Sequence, residues 1–263
     1  MTDVQLRGTT VTPGPRVYAH RFGGEYGPEA SLAALERSLE GPVDGLEVDV
    51  VLSSDEEVVA CHDPLLDIST ADLSGWADRH PAAVLGRAHL LDDRGRPSDQ
   101  TLLSLRGVFD AVPPGLPLQV DVKAYAEPAL ARRTAERCCQ IAAELGRAED
   151  IEVLSFFTPA CEAAVAHDVK SRLVAWADYD PDALVSWAVT RGINGLAFEG
   201  FILDGRMRDV VRQAGLTISV GAVNTAAQLR RLLPLEPEIL VSDCPHALRA
   251  MLDEAAGPAV RTT

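Results

Sequence analysis

The chain lacks any run of 18 apolar residues, so no segment reads as a membrane-spanning helix. Met1 to Arg16 has no apolar stretch of the kind found in secretory leaders, and no lipid-anchoring motif stands out. These absences point to a cytoplasmic protein without a stable membrane anchor. Positive charge is also scarce: 24 Lys and Arg stand against 39 Asp and Glu, a net charge of −15. Such a surface repels nucleic acid and anionic bilayers, so the expected partner is a small molecule. If that molecule is anionic, a local positive site must overcome the global field. Cysteine pairs at metal-binding spacing are missing. Cys61, Cys138, Cys139, Cys161 and Cys244 include no C-x-x-C, and an odd, scattered set fits reduced, mostly buried thiols. Composition is silent on oligomeric state.

What is present fits one large α/β domain spanning residues 1–263, with 47% hydrophobic residues. The chain is organised around Gly45 to His62. Leu46, Val48 and Val50 alternate with Glu47 and Asp49, the period-2 signature of a strand whose two carboxylates share a face. Carboxylates that close repel each other unless a cation lies between them. Val58 to His62 is a second β-branched run, and the linker from Ser53 to Glu57 is too short for a helical crossover. A hairpin turning near Ser54 and Asp55 sets His62 opposite Glu47. Taken alone, the stretch equally describes an acidic strand edge with a surface histidine.

Residues 1–15 read as a loose lead-in, followed by a strand at Val17 to Ala19 and a helix from Pro28 to about Glu40. Residues 64–115 break the rhythm and read as an inserted subdomain closed by a helix over Leu102 to Val112. Strands are then expected at Leu118 to Val122, Ile151 to Phe156, Arg172 to Ala177, Gly195 to Phe198, Thr217 to Val223 and Ile239 to Ser242. Each has a helical candidate after it. With Val43 to Val50 this makes eight β-α units, which imply a closed (β/α)8 barrel, a TIM barrel, with a small insertion after the second strand and its hairpin. The competing arrangement is an open doubly wound sheet.

In such a barrel, chemistry sits at the C-terminal ends of the strands. Those ends carry His20 and Arg21, Glu47 and Asp49, Asp121 and Lys123, Ser155, and Asp243. Three carboxylates from neighbouring strands make a hard-oxygen site suited to Mg2+ or Ca2+ rather than zinc. Histidines flanking a cation can act as acid and base near neutral pH, and Arg21 and Lys123 offer fixed positive charge to an anionic oxygen. Ser155 reads as a hydrogen-bonding strand-end residue, since no nucleophile elbow surrounds it. Glu29 serves equally as a helix N-terminal acid or as a site residue. His80, His89, His167 and His246 read as surface or structural, without partner residues. Trp76, Trp176 and Trp187 read as packing residues.

Several segments together resemble the glycerophosphodiester phosphodiesterase family, within the wider group of phospholipase-C-like phosphodiesterase barrels. They are Ala19-His-Arg21, Pro28-Glu29, Leu46-Glu-Val-Asp-Val50, His62-Asp-Pro64, Val120-Asp-Val-Lys123, Leu154-Ser-Phe156 and Val241-Ser-Asp-Cys-Pro245, in family order over nearly the whole chain. The resemblance implies His20 and His62 as the catalytic pair. It implies Glu47, Asp49 and Asp121 as ligands of a divalent cation, and Arg21 and Lys123 as phosphate contacts. It also implies hydrolysis of a glycerophosphodiester to an alcohol and glycerol 3-phosphate, by attack of the glycerol 2-hydroxyl and opening of a cyclic phosphate. A lysophospholipase-D-like diesterase and a catalytically silent phosphodiester-binding barrel are the alternatives. The chain departs from the family pattern at four points. Phe22 stands in place of Gly, with Gly23 and Gly24 left to supply the turn. Ala30 replaces Asn, Asp121 replaces Glu, and Gly221 replaces a Trp that would wall the substrate site.

Overall fold

The computed structural model describes residues 14–125 and 127–256, so the expected lead-in, save its last two residues, lies outside the described residues. The strands are β1 (Arg16–Ala19), β2 (Gly45–Leu52), β3 (Val58–Ala60), β4 (His89–Leu91), β5 (Pro97–Thr101), β6 (Leu118–Val122), β7 (Ile151–Ser155), β8 (Lys170–Ala175), β9 (Gly195–Glu199), β10 (Thr217–Gly221) and β11 (Ile239–Ser242). The helices are α1 (Leu32–Leu39), α2 (Ala82–Leu85), α3 (Leu105–Ala111), α4 (Pro128–Glu144), α5 (Thr158–Ala166), α6 (Pro181–Thr190), α7 (Gly205–Gln213), α8 (Ala226–Leu232) and α9 (Pro245–Ala256).

Eight parallel strands run in the order β1-β11-β10-β9-β8-β7-β6-β2, and β1 pairs back onto β2. The ring is therefore closed, and the open-sheet alternative is excluded. One strand, β3, lies outside the ring, antiparallel to β2. Alternation explains the layers. Leu46, Val48 and Val50 of β2 and Leu118, Val120 and Val122 of β6 are fully buried in one cluster with Leu35 of α1, Val108 of α3 and Ile141 of α4. The intervening Glu47, Asp49, Gln119 and Asp121 take the other face, towards the barrel axis.

The structure corrects three local expectations. The β2–β3 register pairs Val50 with Ala60 and Leu52 with Val58, one residue away from the predicted one, and the ladder ends at Ala60. Glu56 adopts φ 62° in the turn, which lengthens the loop by one position. Helix α1 starts at Leu32, not Pro28, because Ala30 takes φ 58° and Ser31 then caps the helix through its Oγ and the Ala34 amide. Within the stretch 64–115, Leu66, Ala77, Leu85, Leu90 and Leu102 form a satellite cluster over β3, whereas Leu105, Val108 and Phe109 of α3 join the main core. That helix, expected to close the insertion, is instead the barrel's second outer helix.

Candidate active site

The seven residues singled out from sequence, His20, Arg21, Glu47, Asp49, His62, Asp121 and Lys123, all line one cavity of about 850 Å3 at the C-terminal mouth of the barrel. The exit of β1 is a tight left-handed turn. Arg21, Phe22 and Gly23 have φ of 50°, 64° and 88°. Phe22 itself therefore adopts the conformation that Gly favours, Gly23 continues it, and the fully buried Phe22 ring offsets the cost. The turn aims the Arg21 amide at Glu47 Oε2, 2.9 Å away. It also sets His20 between two acids, with Nδ1 2.7 Å from Asp243 Oδ1 and Nε2 3.8 Å from Glu47 Oε2.

Parallel pairing of β2 with β6 puts Asp49 beside Asp121. Oxygens of Glu47, Asp49 and Asp121 all lie within 4.8 Å of one another, and the three residues are buried. Two cations hold this cluster. Lys123 Nζ is 2.9 Å from Asp49 Oδ1 and 2.6 Å from Asp121 Oδ2. Arg21 Nε is 3.1 Å from Asp49 Oδ2, and its NH1 donates to Glu29 Oε1 at 2.6 Å. Glu29 thus orients Arg21 and does not cap α1, whose cap is Ser31.

Asp121 Oδ1 is buried without a hydrogen-bond partner, and Asp49 Oδ2 meets only the Arg21 Nε, outside hydrogen-bond geometry. A buried orphan oxygen of this kind is rare. On a hard carboxylate it fits a divalent cation such as Mg2+ or Ca2+.

Electrostatics follow from this crowding. Burial and the Asp49 charge push Glu47 well above the ordinary carboxylate range. Burial likewise raises Asp121. Asp49 goes the other way: burial opposes its charge, but Lys123 and Arg21 outweigh that and hold it at about 2. For His20, burial disfavours the cation, yet Asp243 and Glu47 override it and raise the imidazole to about 9. Burial pushes the Cys61 thiol up to about 12, so that cysteine next to the site is inert.

Sequence reasoning placed Asp243 at a strand end without giving it a partner. It accepts from Asn224 Nδ2, while Asn224 Oδ1 accepts from the Asp243 amide and from Ser242 Oγ. His62 has its own acid: Nδ1 lies 3.2 Å from Asp63 Oδ1, which also accepts from Tyr125 OH. The adjacent His-Asp pair in His62-Asp63-Pro64 was the available signal. Trp176, expected as packing, is 58% exposed and lines the cavity. Ser155 behaves as expected, its Oγ donating to Val122 O and accepting from the Phe157 amide. Three of the histidines expected to be partnerless are not: His89 pairs with Asp72, His80 with Ser74 O and His246 with Ser38 O. None of these residues lines the cavity.

Comparison with known proteins agrees with this architecture. The structure of a putative glycerophosphoryl diester phosphodiesterase from Agrobacterium tumefaciens superposes with a TM-score of 0.79 at 17% identity, over 93% of this chain and 100% of that one. An Oleispira antarctica phosphodiesterase, solved in complex with the product sn-glycerol-3-phosphate, gives 0.78 at 21% identity, over 91% of this chain and 97% of that one. Among curated proteins, the uncharacterized Bacillus subtilis protein YqiK is 36% identical over 56 residues. That match spans 21% of this chain and 23% of YqiK. At these identities the solved structures establish the fold. The model of the glycerophosphoryl diester phosphodiesterase family matches residues 20–247, from the first site histidine into α9. A match of that extent, taking in every strand of the ring but β1, means that the chain belongs to the glycerophosphoryl diester phosphodiesterase family of hydrolases.

Proposed function

We propose that this cavity hydrolyses small glycerophosphodiesters to an alcohol and glycerol 3-phosphate, with Mg2+ or Ca2+ held by Glu47, Asp49 and Asp121. The observation that carries the reading is the pairing of two acid-oriented histidines with a buried carboxylate triad that has an orphan oxygen on Asp121. With all three carboxylates ionised, as a bound cation would require, Lys123 and Arg21 leave one net negative charge on the triad, which would repel an anionic diester. A divalent cation reverses that sign and, when bound, supplies electrostatic stabilisation to the phosphoryl oxygens.

The remaining work belongs to this chain's side chains. Asp243 fixes His20 Nδ1, which leaves Nε2 for the substrate. Asp63 orients His62 in the same way. One imidazole takes the proton from the attacking glycerol 2-hydroxyl and the other gives a proton to the leaving alkoxide, after which the roles exchange as water opens the cyclic phosphate. Arg21 and Lys123 add fixed positive charge beside the phosphate.

The experiment is release of glycerol 3-phosphate from glycerophosphocholine, with chelator and with added Mg2+ or Ca2+. Cation-dependent release is expected, together with weakened cation affinity in Asp121→Asn. Binding of glycerophosphocholine without turnover under any of these conditions would instead favour a silent phosphodiester-binding barrel.

A further inference from the structure

The cavity is divided by charge. The triad, its two cations and both histidines occupy the side built by β1, β2 and β6. The other side is largely apolar, lined by Val174 of β8, Trp176 just beyond it, Ala197 of β9, and Ser219 and Gly221 of β10. One carboxylate interrupts that wall. Glu199, half-buried at the end of β9, also lines the cavity. In ring order β9 stands diametrically across from β2, so Glu199 faces the triad from the opposite wall.

Arg231, Arg172 and Lys123 are engaged elsewhere. Arg231 donates to the carbonyls of Gly200, Phe201 and Leu203, Arg172 pairs with Glu152 at the bottom of the barrel, and Lys123 holds Asp49 and Asp121. Among the described residues, no cation pairs with Glu199. Its lateral neighbours are set by register. Gly221 is its partner on β10, and the β8–β9 register carried one residue further sets Trp176 beside it. Gly221 places no side chain beside Glu199, and a Cβ there would come within 3.2 Å of the Val241 Cβ.

We propose that Trp176, Glu199 and Gly221 form a subsite for the leaving alcohol, selective for alcohols that carry an alkylated ammonium group. The inference rests on the phosphodiesterase reading and specifies its substrate class. An indole face attracts a cation, and more so one whose alkyl groups are poorly hydrated. A carboxylate without a partner supplies the opposite charge, and a glycine supplies the room. With the phosphate on the triad side, such a diester is zwitterionic and matches the cavity at both ends.

The test compares kcat/KM for glycerophosphocholine with that for glycerophosphoglycerol, whose leaving alcohol is neutral. Wild type is expected to prefer the choline ester about tenfold, and Glu199→Gln and Trp176→Ala each to collapse that ratio towards one. Glycerophosphoethanolamine should retain the Glu199 dependence and lose most of the Trp176 dependence. A wild-type ratio near one, or a ratio that neither variant changes, overturns the subsite while leaving the phosphodiesterase reading intact. If neither diester is hydrolysed, that reading fails instead. Calorimetric titration with tetramethylammonium chloride then decides the subsite by itself. Saturable binding lost in Glu199→Gln supports it, and no binding at millimolar concentration overturns it.

Discussion

At the scale of single residues, the site is a set of titrating groups that hold one another in unusual states. His20 and His62 act on one reaction, so their loss should be non-additive. We expect His20→Ala and His62→Ala each to lower kcat by about 10²–10⁴, and the double variant to fall little further. His62→Ala should melt close to wild type, whereas the variants lacking His20 should fold but melt lower below pH 9, where the imidazolium pairs with Asp243 and Glu47. The pH dependence of stability is a second expectation. His20 has a folded-state pKa of about 9 against 6.5 for the free side chain. Its stabilising contribution is therefore complete below pH 6.5 and disappears as pH rises through 9. Glu47, raised by burial and by Asp49, works in the same direction, because the fold favours its protonated form. Chelated protein should lose melting temperature from pH 4.5, where the Glu47 contribution begins to fall, up to about 9, where the His20 contribution ends. Added Mg2+ or Ca2+ should flatten that slope and raise the melting temperature, because the cation replaces protons on the triad. Melting curves indifferent to chelator at every pH would count against a cation site here.

At the scale of elements, alternation on β2 and β6 does two jobs with one pattern. Its apolar half faces the helices and its acidic half faces the axis. Lower in the barrel the axis is filled by Arg172, 2% exposed, which reaches from β8 across β9 to β10. Its guanidinium donates to Leu196 O and Thr217 O at 3.2 and 3.0 Å and pairs with Glu152 Oε1 at 3.0 Å. Gln119 donates to the other Glu152 oxygen at 2.6 Å. Gly195 makes this crossing possible, because a Cβ there would collide with Arg172 and Thr217. Gly45 similarly admits the Tyr18 ring, which a Cβ would meet at 2.5 Å. Removing one partner of a buried ion pair leaves an uncompensated charge. Arg172→Met should therefore cost about 3–5 kcal/mol in urea unfolding, and adding Glu152→Gln should recover part of that loss. Activity per folded molecule should hardly change, since this plug lies at the end of the barrel away from the cavity.

At the scale of the whole molecule, closing the sheet gathers charged residues from three adjacent strands at one rim of a protein whose net charge is −15. That field disfavours anionic surfaces and leaves the local balance at the triad to attract the diester. No helix of the described residues is long and apolar enough to cross a membrane. The apolar wall with Trp176, and the open space at Gly221, speak for a lysolipid as the competing substrate. We expect kcat/KM for glycerophosphocholine and glycerophosphoethanolamine to exceed that for lysophosphatidylcholine, measured side by side with the better cation. The reverse order would move the assignment to a lysophospholipase-D-like enzyme without disturbing the histidine and metal assignments.

The sequence by itself determined what depends on local periodicity. Alternation at Glu47 and Asp49 and at Asp121 and Lys123 set those pairs on shared faces, and eight β-α repeats called for a ring. Each of these follows from the two-residue repeat of a strand or from the need of an amphipathic helix to cover a sheet. What depends on distant pairing was decided by the tertiary structure. The partner of His20 lies 223 positions away and reaches it because β11 pairs with β1 when the barrel closes. The β2–β3 register slipped by one because a single left-handed residue, Glu56, lengthens the turn, a choice that no hydrophobic pattern encodes. Trp176 faces the cavity because β8 ends at Ala175, just below it. Glu199 faces the triad because a ring of eight strands sets β9 across from β2. Which groups meet across that axis is fixed by closure and register, and neither is a local property of the chain.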